Sequence, residues 1–77
     1  PNPASAITCI PISSSEKVEI SLRLLDVLGR EVQSVFTGSV PVGRSNCFFH
    51  ADRLLPGTYI VEMRSDAGIE TQKIMIK

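Results

Sequence analysis

From Lys17 to Leu24 the chain alternates strictly: Val18, Ile20, Leu22 and Leu24 share one side, Lys17, Glu19, Ser21 and Arg23 the other. A period of two belongs to a β-strand with one face in a core and the other in water. After Leu24 the phase slips, because Leu25 and Val27 fall where polar residues are due, so a bulge or strand end is expected there. Ile7–Ile12 is apolar and β-branched, and Pro11, which donates no ladder hydrogen bond, places it at a sheet edge. Ser13–Ser15 reads as a loop. Arg30–Thr37 reads as a strand returning antiparallel, with Gly38, Pro41 and Gly43 punctuating the next connection.

Further along, Ser45, Cys47, Phe49 and Ala51 share one strand face, leaving Asn46, Phe48 and His50 on the other. Asp52–Pro56 reads as a corner. Tyr59, Val61 and Met63 then point inward against Thr58, Ile60, Glu62 and Arg64. Ser65–Gly68 is a turn, and Ile69–Lys77 is the last strand, with Ile74 and Ile76 inward. No stretch holds a helical period. About seven short strands with turns every 8–12 residues predict an all-β fold, a small antiparallel β-sandwich of immunoglobulin-like size.

Two turns carry a specific chemistry. In Asp26-Val-Leu-Gly29, aspartate at the first position and glycine at the fourth mark a type I turn, with the carboxylate accepting backbone N–H groups. In Leu54-Leu-Pro-Gly-Thr-Tyr59, proline sets φ and glycine supplies the freedom of the turn. A tyrosine entering a strand from such a corner can turn its hydroxyl back to the upstream backbone and fix the crossover between sheets.

Seventy-seven residues make one domain, 1–77, with residues 1–5 the turn-like end of a linker. A chain of this size buries only about 60–65% of the surface its unfolded form exposes, so its core is thin. Beginning Pro-Asn-Pro rather than with methionine, it reads as a piece of something longer, without a signal peptide. Eight basic and eight acidic side chains cancel to zero net charge, which argues against nucleic acid as partner and against a polybasic membrane anchor. No apolar run approaches the roughly 20 residues of a membrane-spanning helix, so direct membrane insertion is not expected.

Candidate chemistry is sparse. His50 is the sole histidine and sits on an outward strand face, with no nucleophile elbow to partner it, so the chain is not read as an enzyme. Glu16, Glu19, Glu31, Glu62 and Glu70 occupy polar strand positions or loop edges, where solvation is the ordinary explanation. Cys9 and Cys47 with His50 fall short of the four ligands of zinc, and no glycine-rich loop opens a helix, so neither metal nor cofactor is expected. A Cys9–Cys47 disulfide needs both side chains in one core; the favoured reading is two buried thiols behaving as small hydrophobes.

Three stretches and the terminus, taken in order, resemble a known family. They are Pro1-Asn-Pro-Ala4, Leu25-Asp-Val-Leu-Gly-Arg-Glu-Val32, Leu55-Pro-Gly-Thr-Tyr-Ile-Val61 and Gln72-Lys-Ile-Met-Ile-Lys77. Together they resemble the C-terminal sorting domain of type IX secretion cargo proteins, type A, over essentially the whole chain. The resemblance implies a delivery signal. Its partners would be an N-terminally fused cargo protein, the secretion translocon and a sortase-like protease that removes the domain. The cargo would pass through the periplasm to become secreted or cell-surface. Asp26, Gly29 and Arg30 match the family's D-x-x-G-[RK] motif, Gly57 and Tyr59 its G-x-Y motif. Lys73, Ile74, Ile76 and Lys77 match the basic-apolar sorting motif at the terminus. Leu25 departs from the pattern, since an aromatic residue is usual there.

The rival reading is a fibronectin- or immunoglobulin-like accessory or adhesion module of a surface protein, using an exposed aromatic such as Phe48. A sorting domain would end its reading frame at Lys77, whereas an accessory module can be internal.

Overall fold

A computed structural model describes residues 7–77. The linker reading of residues 1–5 and the Pro1–Ala4 stretch lie outside the described residues. Six strands follow in chain order: β1 (Ile7–Ser14), β2 (Val18–Leu25), β3 (Glu31–Val40), β4 (Gly43–His50), β5 (Gly57–Ser65) and β6 (Gly68–Ile76). A single 3-10 turn at Ala51–Arg53 separates β4 from β5. The strands form two sheets, β1-β4 and β3-β2-β5-β6, and every pairing is antiparallel. The antiparallel β-sandwich expected from the periodicity is the fold that forms.

The alternation in β2 does what it predicts. Ile20, Leu22 and Leu24 are buried, and Leu22 and Leu24 are, with Phe49, the largest fully enclosed side chains. Each such side chain contributes roughly 1.5–3 kcal/mol through removal of apolar surface from water. Ile10 and Ile12 of β1, Cys47 and Phe49 of β4, and Tyr59 and Val61 of β5 complete the core. The phase slip after Leu24 is a real irregularity: the β2–β3 register shifts at Leu22/Arg23 and again at Leu24/Leu25, and Leu25 is buried as well. Pro11 lies in a strand with one free edge, as its missing N–H requires.

Several boundaries and environments differ from the sequence reading. β1 continues through Ser14 and β2 begins at Val18, so the loop lies at Ser15–Lys17, two residues later than Ser13–Ser15. β3 does not stop at Thr37 but runs through Gly38 to Val40. Gly38 stays in the ladder opposite Ile20 with φ +152°, beneath the Phe36 ring, whose Cζ would lie 3.2 Å from any added Cβ. The aromatic ring covers the gap that glycine leaves, so glycine is here a strand residue. Glu62 is buried rather than solvated, with only 8% exposure. Arg23 Nε and Arg64 Nε donate to its Oε1 at 2.7 and 3.0 Å, while Arg23 Nη1 reaches Glu31 Oε1 at 3.3 Å. Those hydrogen bonds, from Arg23 foremost, hold the Glu62 carboxyl below the usual glutamate range against the opposing effect of desolvation. The two thiols are free, and only Cys47 is buried; burial pushes its thiol up. Cys9 pairs in register with Phe48 on the outer face, where its thiol contacts Asn46 Oδ1 at 3.3 Å.

Each strand reverses the direction of the one before, so the connections fall alternately at two ends of the sandwich. At one end lie the start of β1, the β2–β3 turn, the 51–56 corner and the finish of β6. At the other lie the β1–β2, β3–β4 and β5–β6 connections.

Candidate functional site

The β2–β3 turn is held by a single carboxylate. Asp26 Oδ1 accepts the N–H groups of Leu28 at 2.9 Å and Arg30 at 3.0 Å, and its Oδ2 accepts Arg30 Nε at 2.9 Å. Two backbone bonds close the loop: Gly29 N–H donates to the Asp26 carbonyl at 3.0 Å, and Asp26 N–H to the Arg30 carbonyl at 2.9 Å. The hydrogen bond from the Arg30 N–H first, then those from the Arg30 side chain and the Leu28 N–H, hold the Asp26 carboxyl below its ordinary value against the opposing effect of desolvation. Gly29 has φ +88°, a conformation that side chains with a Cβ rarely take. Aspartate, glycine and arginine at this spacing are therefore one device, a carboxylate-centred turn. Its tip projects two apolar side chains into water: Val27 is 64% and Leu28 74% exposed.

Tyr59 builds the neighbouring corner as expected. Its buried ring carries a hydroxyl that donates to the Leu55 carbonyl at 2.6 Å, and Leu54 N–H donates to the Ala51 carbonyl at 3.0 Å. The hydroxyl spans the turn that Pro56 and Gly57 make, and Leu55 is left 79% exposed.

β6 reaches the same end. Ile74 lies opposite Tyr59 and Ile76 opposite Gly57, both half-buried against the core rather than enclosed by it. Lys73 lies opposite Ile60, and Ile60 opposite Leu25, so Lys73 ends a row running across β2, β5 and β6. Lys73 and Lys77 are exposed, as is Met75. The motif residues separated in sequence (Asp26, Gly29 and Arg30; Gly57 and Tyr59; Lys73, Ile74, Ile76 and Lys77) thus meet at one end of the sandwich. Val27, Leu28, Leu55 and Met75 are exposed apolar side chains toward this end, and Arg30, Lys73 and Lys77 are exposed cationic ones.

The family model for the secretion system C-terminal sorting domain matches residues 1–77. The chain belongs to that family. Domains of this family are the C-terminal sorting signal of a cargo protein handled by type IX secretion, and the cargo is a secreted or cell-surface protein. Comparison with curated proteins finds no match, and comparison with solved structures finds none either. Among the described residues, no helix is long and apolar enough to cross a membrane.

Sequence reasoning passed over three features of this sorting domain. The exposed apolar tip of the turn was legible, since Val27 and Leu28 sit mid-turn with nothing to pack on. The Arg23–Glu62–Arg64 cluster was not legible, because it depends on which strands are neighbours. Neither was the clip made by Gln33, whose amide accepts His50 N–H at 2.9 Å and donates to the His50 carbonyl at 3.0 Å. That clip joins β3 of one sheet to β4 of the other. Phe48 is exposed on the outer face of the two-stranded sheet.

Proposed function

We propose that the end of the sandwich bearing the D-x-x-G-R turn, the tyrosine corner and the finish of β6 is one composite surface read by the type IX translocon. The observation that supports this reading is convergence: three stretches far apart in sequence have exposed apolar and cationic side chains toward the same end of the sandwich. An apolar patch rimmed by charge is the ordinary form of a protein-binding surface. The chain's part is recognition rather than catalysis. The cargo reaches this step in the periplasm, and a sortase-like protease then separates it from the domain upstream of β1. Ile7 opens β1 at this same end.

The experiment is to fuse residues 1–77 to a periplasm-targeted reporter in a type IX-competent cell and measure the reporter outside. Lys73→Ala with Lys77→Ala should reduce export while changing stability by less than about 0.5 kcal/mol, as for other exposed charges. Ile74→Ala with Ile76→Ala should impair both. Each half-buried isoleucine should cost about 1–2 kcal/mol, below the range of a fully enclosed one. Retention of the intact fusion would refute the export reading, and full export of the lysine variant would remove the cations from it.

A further inference from the structure

Among the described residues the two sheets have four outer strand edges, and three are interrupted at one or more positions. β1 carries Pro11, which lacks a donor. β4 has its His50 N–H and carbonyl taken by the Gln33 amide. β3 meets β2 through two register shifts and the positive-φ Gly38. β6 has none of these devices. It pairs with β5 in unbroken register from Gly68 to Ile76, contains no proline, and among the described residues has no strand on its other side. Natural sheets protect such edges because an unpaired ladder is a template for another strand.

The hairpin geometry tells which groups are unpaired. Ser65 and Gly68 close a two-residue loop, and such a closing pair exchanges both hydrogen bonds. Counting in twos, Glu70, Gln72, Ile74 and Ile76 bond to β5, so the N–H and C=O groups of Ile69, Thr71, Lys73 and Met75 face outward. Beside this edge a cleft between β6 and β1 is lined by Ile10, Ile12, Met63 and Ile74 together with Glu70 and Gln72.

We propose that the free edge of β6 receives an extended strand from a partner protein, which completes the ladder and turns alternate apolar side chains into the β1–β6 cleft. Only an extended backbone matches a row of alternating donors and acceptors. The opposite face of the donor carries a carboxylate against Lys73. Glu62, two positions along β5 from the Ile60 that faces Lys73, is already engaged by Arg23 and Arg64, and Glu31, two strands beyond Ile60 in the same row, by Arg23, so Lys73 makes no ion pair among the described residues. A second copy of β6 is a poor donor. Its residues on that face are Ile69, Thr71, Lys73, Met75 and Lys77, with no acid among them. The donor is a strand of the export apparatus, and this identity rests on the proposed export function.

The test uses a fluorescent nine-residue peptide alternating valine and threonine, with one glutamate in the threonine register, and a twin carrying lysine there. Thr71→Pro removes an outward N–H without touching the β5 ladder, so it should fold and bind the glutamate peptide about tenfold more weakly. Lys73→Glu, a surface change that serves even if the proline variant misfolds, should reverse the preference toward the lysine peptide. Three results would overturn the proposal: no binding to the unaltered chain, equal binding by a folded Thr71→Pro, or no change of preference in Lys73→Glu. A dimer in light scattering that Thr71→Pro abolishes would make a second copy the occupant and overturn it also. In cells, export of the unaltered fusion with equal export of Thr71→Pro removes the strand-docking step alone. Retention of the unaltered fusion removes the export reading, and the peptide measurement still decides the edge.

Discussion

Tyr59→Phe isolates the corner bond from everything else the residue does. The ring stays in the core and only the 2.6 Å bond from its hydroxyl to the Leu55 carbonyl is lost. A buried acceptor left unpaired costs about 1–3 kcal/mol, but Leu55 is 79% exposed, so water can take over its carbonyl. The loss should therefore be that of an ordinary net hydrogen bond, about 1 kcal/mol. For a domain of this size that lowers the melting temperature by about 4–8 °C. Removing the whole ring in Tyr59→Ala adds a cavity and should cost about 3–5 kcal/mol. That is a large share of the roughly 4–12 kcal/mol that a chain of this length has in total.

The assay is urea and thermal unfolding followed by circular dichroism. Fluorescence cannot serve for the variants, because Tyr59 is the only tyrosine and there is no tryptophan. Export of the fused reporter is measured in parallel below the melting point of the variant. Tyr59→Phe should export normally once folded, because the hydroxyl points at backbone and not at a partner. An unchanged melt would show that packing alone fixes the corner. A folded Tyr59→Phe that is not exported would show that the hydroxyl is itself recognised. Either result refutes the structural role assigned to it.

Two further outcomes follow from the turn and the ion cluster. A Cβ added at Gly29 meets no atom within 4 Å, so the main cost of Gly29→Val is the backbone strain of a β-branched residue at φ +88°, about 1–3 kcal/mol in urea unfolding. The depressed carboxyls of Asp26 and Glu62 mean that the unfolded chain binds protons first as pH falls. Their contribution is thus complete above the unfolded carboxyl value of about 4 and is lost as acid titrates the folded groups below it. The melting temperature of Asp26→Asn with Glu62→Gln should fall less steeply below that pH than that of the unaltered chain, and an identical slope would contradict the assignment.

Much of the fold was legible because each strand has one buried face, and alternation reports that directly. Val18–Leu24 and Ser45–Ala51 are the clearest cases, and the slip at Leu25 marked a true register shift. The turns were legible for a different reason: aspartate, glycine and the proline-glycine pair act locally, and their chemistry does not wait for tertiary contacts. Gly38 misled because a glycine inside a strand looks like a break until the ring of Phe36 is seen to cover it. Glu62 misled because alternation assigns faces, not neighbours, and two arginines on its own sheet face close over it. Cys9 misled in the same way, since the face of β1 depends on its register with β4.

The placement of the motif residues also separates what builds the sorting end from what a partner can touch there. Asp26 spends its carboxylate on Leu28 and Arg30, Gly29 provides a backbone angle, and Tyr59 is buried with its hydroxyl on backbone. None of these offers a free group to a partner. The positions between them do: Val27 and Leu28 stand at the tip of a turn whose closing bonds use neither of their side chains. Val27→Ser with Leu28→Ser removes this apolar surface while leaving each of those bonds in place. Neither side chain packs on the core, so stability should change by less than about 0.5 kcal/mol. Export of the fused reporter should nonetheless fall, because a translocon reading the end of the sandwich loses its apolar anchor. A serine variant that melts with the unaltered chain and exports as well would show the turn to be scaffold only. Recognition would then lie in the cations and in the edge of β6.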